Sequence, residues 1–69
     1  MSAKILVNGK DRAMTSEDLV ALLRELEIDP AQRGVAVALN GAVVPRADWA
    51  KTTLRDGDAL EVVKLFAGG

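Results

Sequence analysis

The chain contains no cysteine, no histidine and no tyrosine, and phenylalanine and tryptophan occur once each. Without cysteine there is neither a disulfide nor a thiolate zinc site to staple a small domain. Without histidine and cysteine the usual general base near neutral pH and the usual sulfur nucleophile are both missing. Carboxylates can catalyse alone, but those present fall mainly at turns and helix ends. These absences predict a protein that is acted upon, or that binds, rather than a catalyst, and one with no metal or cofactor of its own. An excess of charge of one sign is lacking too. Nine Lys and Arg stand against ten Asp and Glu, a net charge of −1, and the basic residues are scattered. A nucleic-acid binder would carry a basic face, so none is expected as partner. No apolar run approaches the ~20 residues of a membrane span, and no secretion leader pattern is present. The expectation is a cytoplasmic protein without a membrane partner.

What is there must therefore come from packing. The 69 residues are 49% apolar, enough for one domain, though a chain of this size buries only about 60% of its unfolded surface. Lys4 to Val7 is a short β-rich run. Asn8-Gly9 follows, a two-residue hairpin signal because type I′ turns need positive φ twice. Lys10 to Met14 returns as a polar edge strand. Thr15, Ser16 and Asp18 are each able to cap a helix that opens there, and the acidic pair Glu17-Asp18 suits the positive end of its dipole. Leu19, Leu22, Leu23 and Leu26 then recur at i, i+3, i+4, i+7, one apolar stripe facing a core. Pro30 prevents that helix from continuing, and Gln32 to Gly34 reads as loop.

Val35 to Leu39 alternates larger and smaller apolar residues, as an interior strand does. Asn40-Gly41 makes a second hairpin turn into Ala42-Val43-Val44, and Pro45 ends that strand because it cannot donate to a ladder. Arg46 to Trp49 forms one helical turn, with Trp49 plugging the core. Asp56 and Asp58 flank Gly57 in a turn, and their spacing lacks the further oxygen ligands of a calcium loop. Ala59 to Phe66 is the last strand. One helix and a mixed sheet of four or five strands must pack face to face. A helix after the first hairpin requires a crossover, so the last strand lies beside the first and parallel to it. That is an α+β architecture, the β-grasp or ubiquitin-like roll, over residues 1–66.

Beyond the last strand lie Ala67, Gly68 and Gly69. Glycine lets backbone approach another surface closely. Three extended residues reach roughly 10 Å, into a tunnel too narrow for side chains. A carboxylate on Gly69 is thus the candidate working group, carried on a flexible tail of residues 67–69. Strand parity supplies a candidate docking surface. With Leu60 and Val62 turned to the helix, Val63 and Leu65 face outward. Leu6, Ala36 and Ala38 join them, since Ile5, Val7 and Val37 are read as core. With Phe66 they make an apolar patch next to the tail.

A β-grasp order ending in Gly-Gly resembles the ubiquitin-like sulfur carriers, and within them the carriers of thiamine biosynthesis. The likeness runs from Lys4 to Gly69. It is carried by Ile5-Leu6-Val7-Asn8, Asn40-Gly41, Val44-Pro45-Arg46 with Trp49, Asp56-Gly57-Asp58 and Ala67-Gly68-Gly69. Phe66 departs from it, standing where members often carry a smaller aliphatic residue. The resemblance implies that an E1-like, ThiF-type adenylyltransferase uses ATP to adenylate Gly69. It implies further that a persulfide donor converts the adenylate to a thiocarboxylate, and that a ThiG-type thiazole synthase accepts the sulfur. The small subunit of molybdopterin synthase, a protein modifier that forms isopeptide bonds, and a β-grasp interaction module with an idle tail are the alternatives.

Overall fold

The computed structural model describes residues 3–65. Its elements run β1 (Lys4–Val7), β2 (Lys10–Ala13), α1 (Leu19–Glu25), β3 (Val35–Leu39), β4 (Ala42–Val43), a 3-10 helix (Arg46–Lys51) and β5 (Ala59–Lys64). The five strands form one mixed sheet in the order β2-β1-β5-β3-β4. The first and last strands are parallel, with Leu6 opposite Ala59 and Val7 opposite Leu60. β5 runs antiparallel to β3 on its other side, from Val35 opposite Lys64 to Leu39 opposite Leu60. The expected roll is therefore present with five strands, with β5 at its centre and β3 interior as expected.

Both hairpins turn where the Asn-Gly pairs require. Asn8 and Gly9 have φ of 51° and 82°, Asn40 and Gly41 of 51° and 85°, the doubly positive pattern of a type I′ turn. Between them α1 lays its stripe on the sheet. Leu19, Leu22 and Leu23 are buried against Ile5, Val7, Val37, Leu60 and Val62, and Leu26 packs at the margin. Trp49 enters the same core, 2% exposed, and its indole N–H donates to the Val44 carbonyl at 2.8 Å. That bond satisfies the one polar atom a buried tryptophan brings. Ile28 and Leu54, which belong to no periodic pattern, complete the core at 5% and 1% exposure.

The helix is capped by Asp18, whose carboxylate accepts from the Val20 N–H at 3.3 Å, while the Ser16 hydroxyl accepts from the Asp18 N–H. Its end corrects the sequence reading. The helix stops at Glu25, well before Pro30, because Glu27 adopts φ of 62°. The Glu27 N–H donates to Arg24 O and the Ile28 N–H to Leu23 O, at 3.0 and 2.9 Å. That pair of bonds is a Schellman motif, and both Ile28 and Leu23 belong to the buried core.

Other boundaries shift by one or two residues. β2 ends at Ala13, with Met14 next bonding to Ala3, and β4 ends at Val43, though the Val44 N–H still donates to Val37 O. The helical turn at Arg46 runs on to Lys51 as a 3-10 helix. β5 ends at Lys64, short of the expected Phe66. Its next partner on the neighbouring chain segment is Gly34, whose φ of 78° is not strand geometry. Phe66, Ala67, Gly68 and Gly69 lie outside the described residues, and so does the expected division between domain and tail. No helix among the described residues is long and apolar enough to cross a membrane.

Candidate functional site

The outer face of the sheet, away from α1, is set by strand parity and register. Ala36 lies opposite Val63 and Ala38 opposite Glu61. Leu6 lies opposite Ala59 across the parallel pair. Residues paired this way have Cβ atoms roughly 5 Å apart on one face. The structure brings together Leu6, Ala36, Ala38 and Val63, and Leu65 follows with the same parity just beyond β5. Exposure separates this face from the core sharply: Leu6 is 37%, Val63 48% and Leu65 64% exposed, against 1% for Leu60 and 9% for Val62. Sequence reading missed a further member. Val43, opposite Ala38 across β3 and β4, is 76% exposed. Its strand has only two residues, too short for alternation to reveal which face it takes. Two carboxylates share this face, Glu61 opposite Ala38 and Asp11 opposite Leu6 at the margin.

The root of the C-terminal segment is held by the loop between α1 and β3. The Leu65 N–H donates to the Gly34 carbonyl. A Cβ at Gly34 would collide with the Leu65 carbonyl oxygen, so glycine is required there both for its positive φ and for the closeness of the two backbones. The loop is fixed in turn from outside. The Arg46 guanidinium donates to the carbonyls of Pro30 and Gln32 and lies 4.4 Å from the centroid of the Trp49 ring. Five donors in a planar fork suit this double carbonyl contact and the stacking together. Arg46 thus joins the 3-10 helix to the α1–β3 loop. The ion pair nearby is Lys51 with Asp48, at 3.8 Å on the surface.

Two asparagines serve beyond their turns. The Asn8 side chain accepts from the Val62 N–H at 2.8 Å and donates to the Val62 carbonyl at 3.2 Å. It thereby continues the β1–β5 ladder past the point where β1 turns away. The Asn40 side chain accepts from the Ala59 N–H and donates to Asp58, each at 2.9 Å. Asp58 also accepts from the Arg55 N–H, and Asp56 accepts from the Lys4 N–H, both at 2.8 Å. The carboxylate pair around Gly57 is thus engaged in holding β1 and the turn.

The geometry is that of a small rigid scaffold with an apolar sheet face and a chain that leaves its central strand beside that face. Its relatives are consistent with such a scaffold. A model described as the ThiS family matches residues 5–69. The chain is 40% identical over 67 residues to a thiazole synthase of Paramagnetospirillum magneticum, covering 96% of this chain but only 20% of that protein. It is 35% identical over 66 residues to the sulfur carrier protein ThiS of Escherichia coli, covering 96% of this chain and 98% of the relative. The crystal structure of the thiamine biosynthesis protein ThiS of Geobacter metallireducens superposes with a TM-score of 0.76 at 37% identity, over 96% of this chain and 99% of that one. The chain belongs to the ThiS family.

Proposed function

We propose that this chain carries sulfur for thiazole formation in thiamine biosynthesis, on the carboxyl group of Gly69. The observation that carries the reading is the extent of the family match, which runs through Gly69 and spans nearly the whole of a ThiS relative. The thiazole synthase with a stretch similar to this entire chain supports a ThiG-type acceptor. An ATP-using, ThiF-type enzyme transfers AMP to the Gly69 carboxylate and releases pyrophosphate, since a carboxylate is otherwise a poor electrophile. The terminal sulfur of a persulfide attacks the activated carbonyl carbon and AMP leaves. A thiol then cleaves the sulfur–sulfur bond, becoming a disulfide with the donor's sulfur and leaving a thiocarboxylate on Gly69. The carrier itself supplies no catalytic side chain and holds no cofactor. A partner that consumes ATP suits a cytoplasmic location.

In this reading Leu6, Ala36, Ala38, Val43, Val63 and Leu65 dock the activating enzyme, with Phe66 and Ala67-Gly68 leading into its active site. Apolar exposure of this kind suits an interaction surface. The test has two stages. Intact mass after incubation with a ThiF-type enzyme, ATP and a persulfide donor should show one oxygen replaced by sulfur on the C-terminal peptide. The charged protein is then given separately to thiazole synthase and to the large subunit of molybdopterin synthase. Thiazole from the first and little product from the second is the expected result. Transfer only to the second would reassign the pathway, and an unchanged mass would overturn the carrier reading.

A further inference from the structure

We infer that Gly34 is a positioning residue for the C-terminal segment, and that the α1–β3 loop acts as a clamp that sets the heading of the backbone at Leu65. The inference rests on the carrier reading above and adds a part of the machinery that lies far upstream of Leu65 in the sequence. Three observations converge on it. The Leu65 N–H is bonded to Gly34 O, fixing one side of the peptide unit. The Leu65 carbonyl passes so close to the Gly34 α-carbon that no side chain fits between them. The loop that presents Gly34 is itself held by Arg46 through the Pro30 and Gln32 carbonyls. A loop with free choice would not need two side-chain donors and a left-handed glycine at one place. A tail whose end must reach a reacting centre does need a defined root, because misplacement of about 1 Å can cost on the order of a hundredfold in rate.

The molecule contains its own control. Gly57 has φ of 88°, close to the 78° of Gly34, but nothing lies within 4 Å of a Cβ built on it. Alanine at either position therefore carries the same backbone strain, and only the Gly34→Ala change displaces Leu65. Gly34→Ala, Gly57→Ala and the wild-type chain are compared in ATP–pyrophosphate exchange with a ThiF-type enzyme, with kcat and KM separated, and in amide hydrogen exchange at Leu65. In Gly34→Ala we expect kcat to fall on the order of tenfold to a hundredfold with KM changing far less, because Leu65 alone of the docking face is displaced, and the Leu65 amide to lose protection. Gly57→Ala should change neither. Should Gly34→Ala melt below the assay temperature, Arg46→Ala releases the same loop from its exposed side, and a fall in kcat at unchanged KM is again expected. Equal kcat in Gly34→Ala and Gly57→Ala, or unchanged kcat in Arg46→Ala where that variant is needed, overturns the positioning role while the carrier reading stands. A wild-type chain that supports no exchange overturns the carrier reading and this role with it.

Discussion

Asn8 and Val62 face each other as if both were backbone: the asparagine amide takes the N–H and gives to the C=O of one residue 54 positions away. The parallel ladder between β1 and β5 is short, with Leu6 opposite Ala59 and Val7 opposite Leu60. The side chain of Asn8 lengthens it just where β1 must leave for its hairpin. The stability of the central strand therefore depends on a turn residue.

Replacing Asn8 with Gly keeps the positive φ and removes only the amide. The expected loss is about 1–3 kcal/mol, from two part-buried hydrogen bonds. Asn8→Ala should cost about 1 kcal/mol more, for the left-handed conformation. Urea denaturation of the three proteins checks both steps. A Gly variant as stable as wild type would show that the amide contributes nothing.

Val63→Asp and Val43→Asp place a carboxylate on the outer face. Binding to a ThiF-type enzyme should weaken by roughly tenfold or more, about 1.4 kcal/mol. Folding stability should move by no more than about 1 kcal/mol, the span of strand propensity. Val62→Asp, on the buried face of the same strand, should unfold the domain. Titration calorimetry and thermal melting distinguish these, and a large loss of stability in Val63→Asp would mean that the face is misassigned.

Deleting Gly69 should abolish pyrophosphate exchange and leave the melting temperature where it was. The buried set among the described residues ends at Val62, so that core is complete well before the chain's last residue. Full exchange activity in the shortened chain would remove Gly69 from the mechanism.

Trp49→Phe keeps an aromatic ring in the core but leaves the Val44 carbonyl without its donor and Arg46 with a weaker ring to stack on. A loss of about 1–3 kcal/mol is expected. Circular dichroism melts measure it, since the variant has no tryptophan to report by fluorescence. A variant melting with the wild type would show that the Val44 carbonyl finds water instead.

Local signals made most of this architecture legible. Asn-Gly dictates a turn by its own φ preference, and the leucine stripe needs only helical periodicity to show its face. The outer-face residues followed from parity along β5 and β3. What escaped was non-local or unusual in residue choice. The helix ends on Glu27, not glycine, at the left-handed position, so the Schellman motif has no compositional mark. Ile28 and Leu54 stand alone in loops, and only the folded chain shows that they are core. Gly34 looked like one loop residue among several because its reason is Leu65, a neighbour in space alone. Arg46 reads only as part of a helical turn, because its carbonyl partners across a loop leave no trace in charge pattern.

The order of strands in the sheet has a consequence for the birth of the molecule. β5 comes last along the chain and sits in the middle of the sheet, so its neighbours have no common partner until it arrives. The two hairpins and α1 are local and are expected to form first, whereas joining them means closing a loop from Leu6 to Ala59, an entropic cost met before the contacts that reward it. During synthesis the earlier strands wait as two unjoined ribbons. Insertion of β5 between them completes the core and brings Leu65 and Gly34 together, so the Gly34–Leu65 contact becomes a mark of a finished sheet.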